Sequence, residues 1–140
     1  MLHTLRVFVQ LEQDDRTDVK LTHRQRSRPA FGVHLDPVNL INSPHKYFNN
    51  AQFLEECFAK LGKYIKSCHA KDTLLTDDLT TYLKEVRPGA GSLSYSVFLK
   101  QLNQLDEDIP LMLEHLSKEK EYEKSRDYIK QVAAEENISL

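Results

Sequence analysis

The 140-residue chain sets 19 Lys and Arg against 21 Asp and Glu, a net charge of −2, with 40 % hydrophobic and 29 % charged residues. That balance suits one compact domain with an ordinary core. It excludes a disordered tail, a collagen-like repeat and a protein that coats nucleic acid through bulk positive charge.

No apolar run approaches the ~18 residues of a membrane span. Arg6, Gln10 and Glu12 interrupt the stretch where an export signal would be continuously apolar. The chain is therefore expected in the cytoplasm, with no membrane partner. Cys57 and Cys68 show neither CxxC nor zinc-finger spacing, which fits buried free thiols in a reducing compartment.

In chain order, residues 1–28 form a poorly matching N-terminal segment. LRVFVQLE (5–12) alternates like a strand, whereas DVKLTHRQRSR (18–28) is short and weakly amphipathic for a helix. The cluster Arg24, Arg26, Arg28 reads equally as a phosphate site or as a helix C-terminus and exposed loop.

From residue 29 to 140 short strand-like runs alternate with amphipathic helices, the pattern of a parallel α/β sheet. FGVHLD (31–36) puts Phe31, Val33 and Leu35 on one face of a strand and Gly32, His34 and Asp36 on the other. After a turn with Asn42, Ser43 and Pro44, the positions Phe53, Leu54, Cys57, Phe58 and Leu61 mark a helix. Asn49 or Asn50 can cap its start, and Gly62 can end it.

YIKSCHAKD (64–72) reads as the second strand, followed by a polar loop and the turn RPGAG (87–91). Tyr95, Phe98, Leu99, Leu102 and Leu105 form the buried stripe of the next helix. IPLMLEHL (109–116), with Pro110 tolerable only at a strand start, is the third strand. A charged helix carrying Tyr122, Ile129 and Val132 closes the series.

Each strand ends in a side chain able to bind a metal: Asp36, His69 and Glu114. Singly, each has an ordinary explanation. An Asp before Pro forms turns, a strand-end His is usually hydrogen-bonded structure, and a Glu can cap the next helix. Together they imply convergence at the carboxyl ends of neighbouring parallel strands, the rim where βα loops build sites. Two carboxylates and an imidazole suit Mn²⁺, Mg²⁺ or Zn²⁺.

HLDPVNLI, YIKSCHAKD, EVRPGAGSLSY and PLMLEHL, in that order, resemble the last three βα units of the xylose isomerase-like TIM-barrel family of sugar phosphate isomerases and epimerases. The resemblance implies a partial (β/α)8 TIM barrel of the last three or four βα units. It also implies one divalent metal held by four strand-end ligands, of which Asp36, His69 and Glu114 match the last three. Glu114 would also be one of two catalytic carboxylates exchanging a proton beside a sugar carbonyl. His34, Asn39, Lys71, Asp72 and Arg87 fall in its rim motifs, where each suits either a contact to a sugar or sugar phosphate or a supporting role. Pro88, Gly89 and Gly91 match its PGxG turn, whose simplest meaning is backbone shape.

A complete barrel takes about 250 residues, so the resemblance implies a carboxy-terminal half. Glu12, followed by Gln13 rather than Pro, is not assigned as the first ligand of the series. Three functions follow: a metal-dependent isomerase or epimerase; an inactive half-barrel that forms a homo-oligomer or pairs with a partner half; and a phosphodiesterase like the apurinic endonucleases. The last wants more His and carboxylate ligands than the segment supplies.

Overall fold

The structure, a computed structural model, describes residues 31–140. The strand reading of 5–12, Glu12 and the Arg24, Arg26, Arg28 cluster lie outside the described residues.

The elements are β1 (Val33–Leu35), α1 (Pro37–Leu40), α2 (Pro44–Phe48), α3 (Asn50–Leu61), a 3-10 turn (Gly62–Tyr64), β2 (Ile65–Ala70), β3 (Asp72–Leu75), β4 (Leu83–Val86), α4 (Tyr95–Asn103), β5 (Leu111–Leu113) and α5 (Glu119–Glu135). β1, β2 and β5 form a parallel sheet with β2 in the centre. Strand parity sorts the side chains. Val33, Leu35, Cys68 and Ala70 are buried in the core, while His34 and Met112, on the alternate positions, are exposed.

The core lies between the sheet's apolar face and the helices. Phe53, Leu54, Cys57, Phe58 and Leu61 of α3 all point into it, as the spacing requires. From α4, Tyr95, Phe98 and Leu99 are at most 1 % exposed. Phe98 packs against Phe58 at 5.9 Å between ring centroids, and Tyr95 meets Tyr128 of α5 edge-on at 5.4 Å. Ile129, Val132 and Ala133 close the layer.

Two prolines start helices where the missing N–H costs nothing. Pro37 follows Asp36, whose side chain caps Asn39 N, and Pro44 follows Ser43, which caps Lys46 N. The predicted turn at 42–44 thus opens a short helix. Asn49 stands at the cap position of α3 without a side-chain cap bond. Asn50 instead donates to the carbonyls of Tyr47 and Ser92 and accepts from Ser94 N, tying α3 to the segment before α4.

Three expectations need correction. The second strand does not run unbroken to Asp72: β2 ends at Ala70 and Asp72 begins β3. The supposed polar loop is an antiparallel hairpin, β3 with β4, paired from Asp72↔Val86 to Leu75↔Leu83. Thr and Asp residues dilute its alternation, and backbone pairing supplies what the pattern lacks. The third strand is also shorter than 109–116, its ladder covering Leu111–Leu113. Among the described residues, no helix is long and apolar enough to cross a membrane.

Candidate metal centre

The strand register assembles the cluster. Leu35 of β1 is opposite Cys68, so Asp36 emerges at the level of His69; Leu113 of β5 is opposite Ala70, so Glu114 emerges at the level of Lys71. His69 and Lys71 are two residues apart and share the polar face. Asp36, His69 and Glu114 thereby converge at one end of the sheet, their donor atoms all within 4.8 Å of one another.

His69 Nδ1 stands 3.3 Å from Asp36 Oδ2 and 3.0 Å from Glu114 Oε1. Asp36, 8 % exposed, is oriented by Asn39: Oδ1 accepts from the backbone N–H at 3.3 Å and Oδ2 from the side-chain amide at 3.0 Å. The ordinary role of an Asp before Pro, a helix cap, is therefore present alongside its place in the cluster.

Lys71 completes the arrangement. It is 3 % exposed, and its Nζ reaches Glu114 Oε1 at 2.6 Å, Asp36 Oδ2 at 2.9 Å and Glu85 Oε2 at 3.4 Å. Burial alone would push the ammonium's acidity the other way, but Glu114 and Asp36 outweigh it and hold Lys71 above the usual lysine range. Partial burial likewise pushes the Glu114 carboxyl up, while Lys71, His69 and His115 together hold it below the usual carboxylate range.

The sequence reading missed Glu85 and His115. Glu85 arrives on β4 of the unrecognised hairpin. His115 follows Glu114 directly and takes a left-handed φ of 59°, a backbone state that costs of order 1–3 kcal/mol outside glycine. Its Nδ1 lies 3.1 Å from Glu85 Oε1 and 3.3 Å from Lys71 Nζ. The LEHL run of 113–116 carried the only signal for it.

The remaining rim candidates are placed as follows. His34 stacks edge-on against His69 at 4.0 Å and bonds Ser67 Oγ through Nδ1 at 2.6 Å, at the border of the cluster. Asp72 is 1 % exposed and turned into the backbone: Oδ1 accepts from Thr73 N and Leu93 N at 2.8 Å each, Oδ2 from Gly89 N at 3.0 Å and Gly91 N at 3.1 Å. Burial pushes its carboxyl above the usual carboxylate range, and the four N–H donors pull it back only in part. Arg87 pairs with Glu121 of α5 at 3.0 Å and donates to the Pro88 carbonyl, contacts that lie with the helix layer and not with the triad.

The Asp72 clasp explains the RPGAG turn. A Cβ at Gly91 would stand 2.5 Å from Asp72 Oδ1, and Gly89 combines a φ of +78° with a Tyr128 ring that a Cβ there would strike at 2.6 Å. Tyr95 adds a hydrogen bond to the Lys71 carbonyl at 2.8 Å. The backbone on the carboxyl side of Lys71 is thus pinned. A shallow cleft of about 260 Å³, lined by Leu102, Leu105, Ile109 and Leu111, lies at the opposite, amino end of β5 and takes no part in the cluster.

Two hard carboxylate oxygens and one imidazole nitrogen at this spacing fit a divalent cation, and an ammonium already sits between the two carboxylates. Parallel strands, helices against one face and a triad at the strands' carboxyl ends define a mixed α/β chain.

The fold matches the crystal structure of a xylose isomerase domain protein from Planctomyces limnophilus, with a TM-score of 0.57 and 22 % sequence identity. The match covers 79 % of this chain and 38 % of that one, so the chain spans well under half the length of the protein it resembles. No protein-family model matches the chain, and no curated protein matches it.

Proposed function

We propose that the chain is a divalent-metal-dependent protein of the sugar isomerase and epimerase type, moving a proton beside the carbonyl of a sugar or sugar phosphate. The convergence of Asp36, His69 and Glu114 at the carboxyl ends of three parallel strands carries this reading. Those three residues would hold the cation, with Mn²⁺ or Mg²⁺ favoured by the two carboxylates. When bound, it would polarise adjacent sugar oxygens and stabilise negative charge developing on them.

The chain's own residues supply the rest. Glu114 is the candidate base, positioned by β5 and facing His69 and Lys71. Asn39 keeps the Asp36 carboxylate fixed, and Lys71 and His34 border the space where sugar oxygens would lie.

The first test is titration with Mn²⁺ by calorimetry: binding is expected, and Asp36→Asn or His69→Ala should weaken it at least about tenfold, since each removes a direct donor. Equal binding by both variants would remove the triad from the reading. The second is incubation with Mn²⁺ and a panel of ketoses in deuterated water, with NMR detection of exchange at C2 or C3. Exchange should be abolished by Glu114→Gln; its survival in that variant would exclude Glu114 as the base.

A further inference from the structure

The Lys71 ammonium competes for the very oxygens a cation would use. Its Nζ is bonded to Asp36 Oδ2 and Glu114 Oε1, the same two atoms that face His69 Nδ1. A divalent ion against those oxygens and an ammonium within 3 Å of them would repel each other strongly in a shielded site.

A second resting place is already built. Glu85 Oε2, on β4 and outside the triad, lies 3.4 Å from Nζ, and the other oxygen of that carboxylate is held by His115 Nδ1 at 3.1 Å. Reaching it needs no backbone movement. The Lys71 carbonyl is tied to Tyr95 and the next residue is clasped by four backbone amides, whereas the four-carbon stem carries a compact, freely reoriented charge.

The charge count agrees. The formal charges of the three carboxylates and the one ammonium sum to minus two. A divalent cation carries the charge that cancels this sum.

We infer that Lys71 is a tethered counter-ion that occupies the Asp36 and Glu114 oxygens in the metal-free protein and transfers to Glu85 when a divalent cation binds, coupling cation occupancy to the β3–β4 hairpin. This rests on the metal-binding reading of the same triad. Glu85 then acts as the receptor of the displaced charge, a positioning role with no direct contact to the cation.

The test is a double-mutant cycle on Mn²⁺ affinity, measured by calorimetry on the full chain at one pH and ionic strength. Lys71→Met should bind Mn²⁺ about tenfold or more tightly than wild type, because the competing charge is gone. Glu85→Gln should bind several-fold more weakly, because the displaced ammonium has lost its acceptor. In the double variant the Glu85→Gln effect should vanish.

If Glu85→Gln weakens binding equally in both backgrounds, Glu85 acts only through space and the transfer is overturned. If Lys71→Met binds no more tightly than wild type, the competition is overturned while the metal site stands. Absence of Mn²⁺ binding in all four proteins overturns the site and the transfer together.

Should Lys71→Met fail to fold, wild-type protein gives the same answer by amine acylation and mass spectrometry. Lys71 should label slowly without metal and faster at saturating Mg²⁺, and unchanged labelling would overturn the inference.

Discussion

Replacing Asp72 by Asn sets two large effects against each other. The carboxylate is 1 % exposed, and keeping an ion out of water costs several kcal/mol, which taken alone favours a neutral isostere. Against this, four backbone N–H groups point at its two oxygens, at 2.8 to 3.1 Å. Hydrogen bonds to a charged acceptor contribute about 1.5–3 kcal/mol each.

Asn keeps one carbonyl oxygen and turns an NH2 toward the other pair of donors. Two buried N–H groups then lose their acceptor, at about 1–3 kcal/mol apiece. Allowing for the relieved desolvation, Asp72→Asn should cost about 2–4 kcal/mol, a sizeable share of the 5–15 kcal/mol of a typical domain. Urea unfolding followed by far-ultraviolet circular dichroism should show the midpoint falling by roughly 1–3 M with little change in slope. A variant within about 0.5 kcal/mol of wild type, or more stable than it, would show that burial of the charge dominates and would refute the clasp as a stabilising device.

Phe98→Ala empties a position that is 0 % exposed between Phe58 and Tyr95, and the same unfolding assay should register a loss of about 3–5 kcal/mol; a loss below about 1 kcal/mol would place the core elsewhere. Gly89→Ala meets both a φ of +78° and the Tyr128 ring, so about 1–3 kcal/mol should be lost, and a neutral result would show the turn can relax. Burial pushes the Cys57 and Cys68 thiols up to about 12, whereas unfolded thiols ionise near ~8.5. Between those values the unfolded chain releases protons that the native one keeps, so stability is full below the lower value and falls as pH rises, by about 1.4 kcal/mol per pH unit for each cysteine. Urea midpoints that stay level between pH 8 and 10, or native thiols that react readily with an aromatic disulfide reagent at pH 8, would contradict this.

The sheet was legible because its signal is local. Val33 and Leu35 alternate with His34 and Asp36, and helical spacing in 53–61 and 95–105 marks the two inner helices. The triad was legible because three metal-competent residues each end a strand. The hairpin was hidden for the opposite reason: Thr73, Leu74, Lys84 and Glu85 pair through backbone groups, which carry no residue signature. With it went Glu85. Asp72 illustrates a second limit, since sequence lists a carboxylate in a rim motif but not whether it turns toward the rim or into the backbone.

Past the register shift that separates Val33↔Ile65 from His34↔Ser67, the alternation along β2 from Ser67 onward makes this strand a ruler with two tracks. Cys68 and Ala70 are read by the core, and His69 and Lys71 by the polar cluster. A substitution disturbs one track at a time, but inserting or deleting one residue upstream in β2 exchanges them, sending an imidazole and an ammonium into the apolar layer. Length variation should therefore be forbidden there and concentrate in the hairpin tip around Leu79, which is wholly exposed. Among lineages descended from this chain, the spacing between Cys68 and Lys71 should outlast the identity of almost any single residue around it.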